Sequence, residues 1–134
     1  MMTMNWPDRA FHLWWCSATH TTLRLQSNPT FAQGAPATRI EIQFGHVRSL
    51  FIRPVADGLT VVRATPQEGA GICSRYSLDP AWADSVFLLR STWEGFIVSS
   101  APSWREAVRD IDDPSLFTPV EDAAELADVT FGHA

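Results

Sequence analysis

Apolar and polar residues alternate strictly from Arg39 to Phe44. Ile40, Ile42 and Phe44 fall on one side of an extended chain, and Arg39, Glu41 and Gln43 on the other. A period of two predicts a half-exposed antiparallel strand. The stretch Val86 to Ile111 carries a denser pattern. Val86, Leu88 and Arg90 alternate with Phe87, Leu89 and Ser91, and both sets are largely apolar. A strand covered on both faces is therefore expected. Trp93-Glu94-Gly95 supplies a turn, with Gly95 free to take a positive φ, and Phe96 to Val98 return as the partner strand. The period then changes. Trp104, Ala107, Val108 and Ile111 are spaced i, i+3, i+4 and i+7, and Ser103 with Glu106 reads as a capping box. Those signals predict a helix.

The remaining elements are weaker versions of the same patterns. Residues 1–9 read as a loose lead-in, Ala10 to Ser17 and Thr21 to Gln26 as strands, and Ser27 to Thr38 as a loop. Val47 to Ile52 resumes the strand pattern after Gly45, and Asp57-Gly58 predicts a hairpin turn before Leu59 to Ala64. Thr65 to Gly71 reads as a loop and Ile72 to Leu78 as a strand. Asp79-Pro80 opens a single helical turn. Asp112-Asp113-Pro114 stops the first helix. Thr118, Pro119 and Glu121 start a second, running to about Asp128 and burying Val120, Ala123, Ala124 and Ala127. The fold class expected is α+β: an antiparallel sheet of about six to eight short strands, followed by two C-terminal helices packed against it.

At 134 residues the chain is expected to be one domain, residues 1–134, with 110–134 as an acidic C-terminal helical segment. No basic stretch precedes an apolar run at the N-terminus, and no apolar span is long enough to cross a bilayer, so a soluble cytoplasmic protein is expected. All ten basic residues are arginine. Without lysine, Schiff-base chemistry, a pyridoxal-phosphate linkage and a P-loop ammonium are excluded. The net charge of −5 is unevenly placed: residues 1–109 hold all ten arginines against eight acids, and residues 110–134 hold seven acids and no arginine. Glu121, Glu125 and Asp128, with Asp122 alongside, would form one negative stripe on the second helix. Asp110, Asp112 and Asp113 would crowd the unfavourable end of the first. A solvated face, or pairing to sheet arginines, is the structural alternative.

Other chemistry is thin. Cys16 and Cys73 belong to no paired motif and read as buried free thiols. His12, Cys16 and His20 are each four apart, but a loop separates Cys16 from His20 and no carboxylate is near, so no metal site or cofactor is indicated. Arg39, Arg48, Arg53, Arg63, Arg75 and Arg90 fall about one per strand, and Trp14, Trp93 or Tyr76 could stack bases. The overall acidity argues against nucleic acid. No nucleophile motif is present. Trp93, at a hairpin tip beside Glu94, would be an exposed anchor for a partner.

The segments SWREAVRDIDDP and TPVEDAAELAD give the chain a general character that resembles the small bacterial immunity proteins that neutralise toxins, including those of contact-dependent inhibition systems. The resemblance implies a cytosolic, non-enzymatic inhibitor of a basic toxin, often a nuclease, that presents carboxylates where phosphates would go. Its contacts would be Asp110, Asp112, Asp113, Glu121, Asp122, Glu125 and Asp128. The rival expectation is a small enzyme or ligand-binding domain with a pocket between sheet and helices, lined by His12, His46, Tyr76 or Cys73. A third is a subunit whose tryptophans make a contact between copies.

Overall fold

The computed structural model describes residues 4–19, 21–29, 37–118 and 127–134. Among these residues, nine strands form one antiparallel sheet: β1 (Met4–Ser17), β2 (Thr22–Ser27), β3 (Arg39–Phe44), β4 (Ser49–Phe51), β5 (Val55–Arg63), β6 (Val86–Arg90), β7 (Glu94–Val98), β8 (Ser103–Ala107) and β9 (Thr130–His133). Their order is β4-β7-β6-β5-β1-β2-β3-β8-β9. One helix, α1 (Pro66–Arg75), and a 3-10 turn at Pro80–Ser85 lie between β5 and β6. The described residues are thus mostly β, not α+β with helices at the C-terminal end. No helix among them is long and apolar enough to cross a membrane.

The sheet has to curl. β3 and β4 stand six strand spacings apart in the order, which in a flat sheet is roughly 29 Å. Four residues, 45–48, join them, and such a link spans at most about 18 Å. Residues 99–102 join β7 to β8 across the same gap. The two links are hydrogen-bonded to each other, Ser100 N donating to Gly45 O at 3.0 Å, and Arg48 N donates to Val98 O at the end of β7 at 2.8 Å. The β3–β8 pair and the β4–β7 pair are therefore two halves of one bent ribbon. Curling brings Trp6 of β1 edge-on to Trp104 of β8, with ring centroids 5.7 Å apart. It also encloses a core of Met4, Phe11, Leu23, Leu25, Ile40, Ile42, Phe44, Leu59, Val61, Phe87, Leu89 and Ile97.

The hairpin of β6 and β7 is covered on both faces, as its doubled apolar pattern requires. Phe87, Leu89 and Ile97 enter the core, while Val86, Phe96 and Val98 pack outward with Cys73 and Ile72 of α1 and with Trp82. The turn is Ser91 to Thr92 and Trp93, two residues earlier than expected, and Glu94 and Gly95 already belong to β7. Gly95 is needed for close approach rather than for a positive φ: a Cβ there would lie 2.2 Å from the Phe51 carbonyl oxygen. Asp57-Gly58 does not turn the chain. It sits inside β5 where the β1–β5 register shifts, with Gly58 at φ 73° and pressed against Pro7.

Three further expectations are corrected. Residues 4–9 are not a loose lead-in but the first half of β1, paired to β5 and burying Met4. Thr65 to Leu78 is not loop and strand. Thr65-Pro66-Gln67-Glu68 is a full capping box with proline in the first turn, and the Thr65 hydroxyl and Glu68 carboxylate each accept from the other residue's N–H. Finally, residues 103–107 are strand β8, paired to both β3 and β9. The Glu106 carboxylate does not reach back to cap a helix there but accepts from the Thr38 hydroxyl at 2.6 Å. Two ladders of backbone hydrogen bonds outweigh one helical face, because helix signals are a weak local bias. The second expected helix falls largely on residues 119–126, outside the described residues. Thr118 and Ala127–Asp128 lie in turns.

Candidate functional site

The outward faces of β2, β3 and β8 carry Arg24, Gln26, Arg39, Glu41 and Arg105, which period-two alternation would leave in solvent. They are covered instead. Residues 108–118 leave β8 without regular structure and run back over this face as a strap. Arg39 is 1% exposed and Glu41 0%. Isolated buried charges are costly, so each must be compensated locally. Glu41 is held by Arg39 Nη1 at 3.1 Å and Arg24 Nε at 3.4 Å. Its carboxylate also accepts from the Ser115 hydroxyl at 2.6 Å and from the Leu116 N–H at 2.8 Å. Arg39 donates to the Asp113 and Pro114 carbonyls at 3.0 and 3.1 Å and also to the Asp110 carbonyl. Arg105 donates to the Leu116 carbonyl at 2.6 Å. Burial pushes the Arg24 pKa down, Glu41 opposes that shift, and Arg39 adds to it. The consequence is mechanical: backbone groups at four strap positions are tied to a charged cluster inside the sheet.

An aromatic ladder extends the cluster toward solvent. Arg24 lies 5.0 Å from the Trp15 ring centroid and 5.9 Å from that of Phe117, and Arg105 lies 4.6 Å from Phe117. Beyond Arg24, Leu13, Trp14 and Trp15 are all exposed, at a point where a β-bulge displaces β1 against β2.

The outer side of the strap is mixed. Val108 is 67% and Ile111 56% exposed, set among the exposed Asp110, Asp112 and Asp113. Helical spacing would have buried both apolar residues; as strap residues they face solvent. Asp113 Oδ2 accepts the Asp110 N–H at 2.7 Å, which tightens the bend between them. Among the described residues no arginine forms an ion pair with Asp110, Asp112 or Asp113.

The other expected contacts are scattered. Asp128 is paired within the chain, its carboxylate bridged by Arg109 at 2.6 and 3.1 Å. Those hydrogen bonds hold the Asp128 carboxyl below the usual carboxylate range and raise Arg109. Glu121, Asp122 and Glu125 lie outside the described residues. Trp93 is not an exposed anchor: it is half-buried against the core, and its indole N–H donates to the Val55 carbonyl at 2.8 Å. Glu94 is exposed, but on the β6–β7 hairpin rather than on the strap.

The residues named for an enzyme pocket do not converge. His12 is exposed on β1, His46 sits in the 45–48 link, and Cys73 is on the buried side of α1 while Tyr76 follows that helix into solvent. Cys16 is exposed, not buried. Among the described residues no group of three or more His, Cys, Asp or Glu could hold a metal ion. Compared with known proteins, the chain matches no family model, no curated protein and no solved structure.

Proposed function

We propose that the chain is a non-enzymatic protein-binding domain that captures a basic partner on its strap. The observation that carries this reading is the pairing of a fixed backbone with an exposed surface that is both apolar and acidic. Arg39 and Glu41 hold the strap from below. Above, Val108 and Ile111 stand exposed among three aspartates that have no ion-pair partner among the described residues. A loop ordered before binding avoids much of the entropy cost of association, about 0.5–1.5 kcal/mol for each side chain that need not be immobilised. Apolar anchors ringed by charge follow the division of labour at protein interfaces: the centre supplies affinity, and the rim supplies orientation and on-rate. Trp15, linked to the strap through Arg24 and Phe117, widens the apolar area.

The partner is a basic toxin domain, and the protein acts as its immunity protein in the cytoplasm. A nuclease is the toxin kind that suits this surface best, since closely spaced carboxylates mimic phosphates in a cationic site. The test is capture by the tagged protein from its native cells, beside a variant carrying Ile111→Arg and Asp112→Arg. Both positions are exposed, so folding is retained. One basic protein should be held by the wild type at low salt, released at high salt, and lost with the variant. Identical recovery by both proteins would sink the strap as the binding surface. A companion change of Glu121, Asp122 and Glu125 to Ala reads whether that segment adds to the same surface.

A further inference from the structure

Away from the strap, α1 and the β4–β7 edge enclose an open groove of about 400 Å³, within the size range of small-molecule sites. Its wall is aromatic. Phe51 stacks on Phe96 with ring centroids 6.2 Å apart and an interplanar angle of 13°, and Tyr76 leans on both at 5.6 and 4.9 Å. Phe51 is nonetheless 55% exposed and Tyr76 is exposed. The cluster thus presents ring surface to solvent.

The helix side of the groove is lined by Glu68, Gly71, Ile72 and Arg75. A glycine inside a helix is destabilising relative to alanine, so the presence of Gly71 calls for a reason. Its neighbour Gly69 has one, since a Cβ there would lie 2.0 Å from the Ala83 carbonyl oxygen. Gly71 has none among the described residues: nothing lies within 4 Å of the position its Cβ would take. The space it leaves is part of the groove.

Charge at the rim narrows the occupant. Arg90 is engaged with Glu68 at 3.6 Å. Arg75 lies 5.6 Å from the Tyr76 ring centroid and, among the described residues, has no carboxylate partner. Glu94 lines the opposite side. Two arginines and two glutamates give a rim without net charge, which disfavours a phosphate chain, while Arg75 can still take one carboxylate. We propose that this groove binds a small planar aromatic molecule bearing a single carboxylate, with its ring against Phe51 and Tyr76, its edge in the space beside Gly71, and its carboxylate on Arg75.

The probes are 2-naphthoate and its neutral counterpart 2-naphthylmethanol, followed by NMR on the backbone amides of the intact chain. Naphthoate should shift the amides of residues 71–76 and 94–96 saturably. Gly71→Leu fills the space and favours the helix, so it should melt no lower than wild type yet bind at least about tenfold more weakly. Arg75→Gln should weaken naphthoate by about fivefold and leave naphthylmethanol unchanged. Non-saturable shifts, shifts confined to the Leu13-Trp14-Trp15 surface, or unchanged binding by the Gly71→Leu protein would overturn the site. Equal affinity for the two probes would overturn the carboxylate's part in it.

Discussion

Glu41 shows how far a single residue can depart from its local pattern. In Arg39-Ile40-Glu41-Ile42-Gln43 the polar positions read as the wet face of a strand, and the chemistry of the side chains gives no hint otherwise. What buries them is a segment some seventy residues later in sequence, and alternation carries no information about it. Removing Glu41 leaves two arginines facing an uncompensated interior. Glu41→Ala should therefore lower stability by about 3–5 kcal/mol in urea denaturation, the range for breaking one side of a buried ion pair. An ordinary surface loss, below about 1 kcal/mol, would show that the cluster is wet. The exposed pair Arg109–Asp128 behaves differently. Its depressed folded-state pKa means that the stability it adds is present above the unfolded-state pKa of Asp128 and is lost as pH falls through the lower folded value. Wild type and Asp128→Asn should differ in melting temperature at neutral pH and converge as the medium is acidified below the usual carboxylate range. Curves that stay parallel into acid would contradict the pairing.

The elements were legible where one pattern had no competitor. β3, β2 and the doubly apolar β6–β7 hairpin follow directly from alternation. The two capping signatures are more instructive. Thr65-Pro66-Gln67-Glu68 makes a real cap, although Gly69 and Gly71 lower the apparent helix propensity of the turns after it. Ser103 and Glu106 have the same spacing and make none, because β8 has strands to pair with on both sides. A cap is a local contribution, and an interior strand position is a tertiary one. Thr65→Ala should accordingly cost about 1 kcal/mol by thermal or chemical denaturation. Ser103→Ala, which removes no cap, should lie within about 0.5 kcal/mol of wild type, the usual span for a substitution away from special features. Equal losses at the two sites would mean that the cap at Thr65 is not formed.

At the scale of the molecule, two four-residue links decide the shape, and a strand list alone does not reveal them. Once residues 45–48 and 99–102 must bridge six strand spacings, the sheet curls, its apolar faces meet, and its outer face becomes the site of everything else. α1 covers one part of that face and the strap another. The acidic C-terminal bias was visible in the sequence, but its arrangement was not. The helical spacing that placed Val108 and Ile111 in the core instead belongs to a segment whose backbone is pinned and whose apolar side chains face out. The functional reading depends on that pinning, which hydrogen exchange of the free protein measures directly. The Leu116 amide, bonded to Glu41, should exchange at least roughly a hundredfold more slowly than an unstructured amide, and Glu41→Ala should abolish that protection while β6 and β7 stay protected. If Leu116 exchanges in the wild type at the rate of an open loop, the strap is not held in advance, and the claim that it is a prepared binding surface fails.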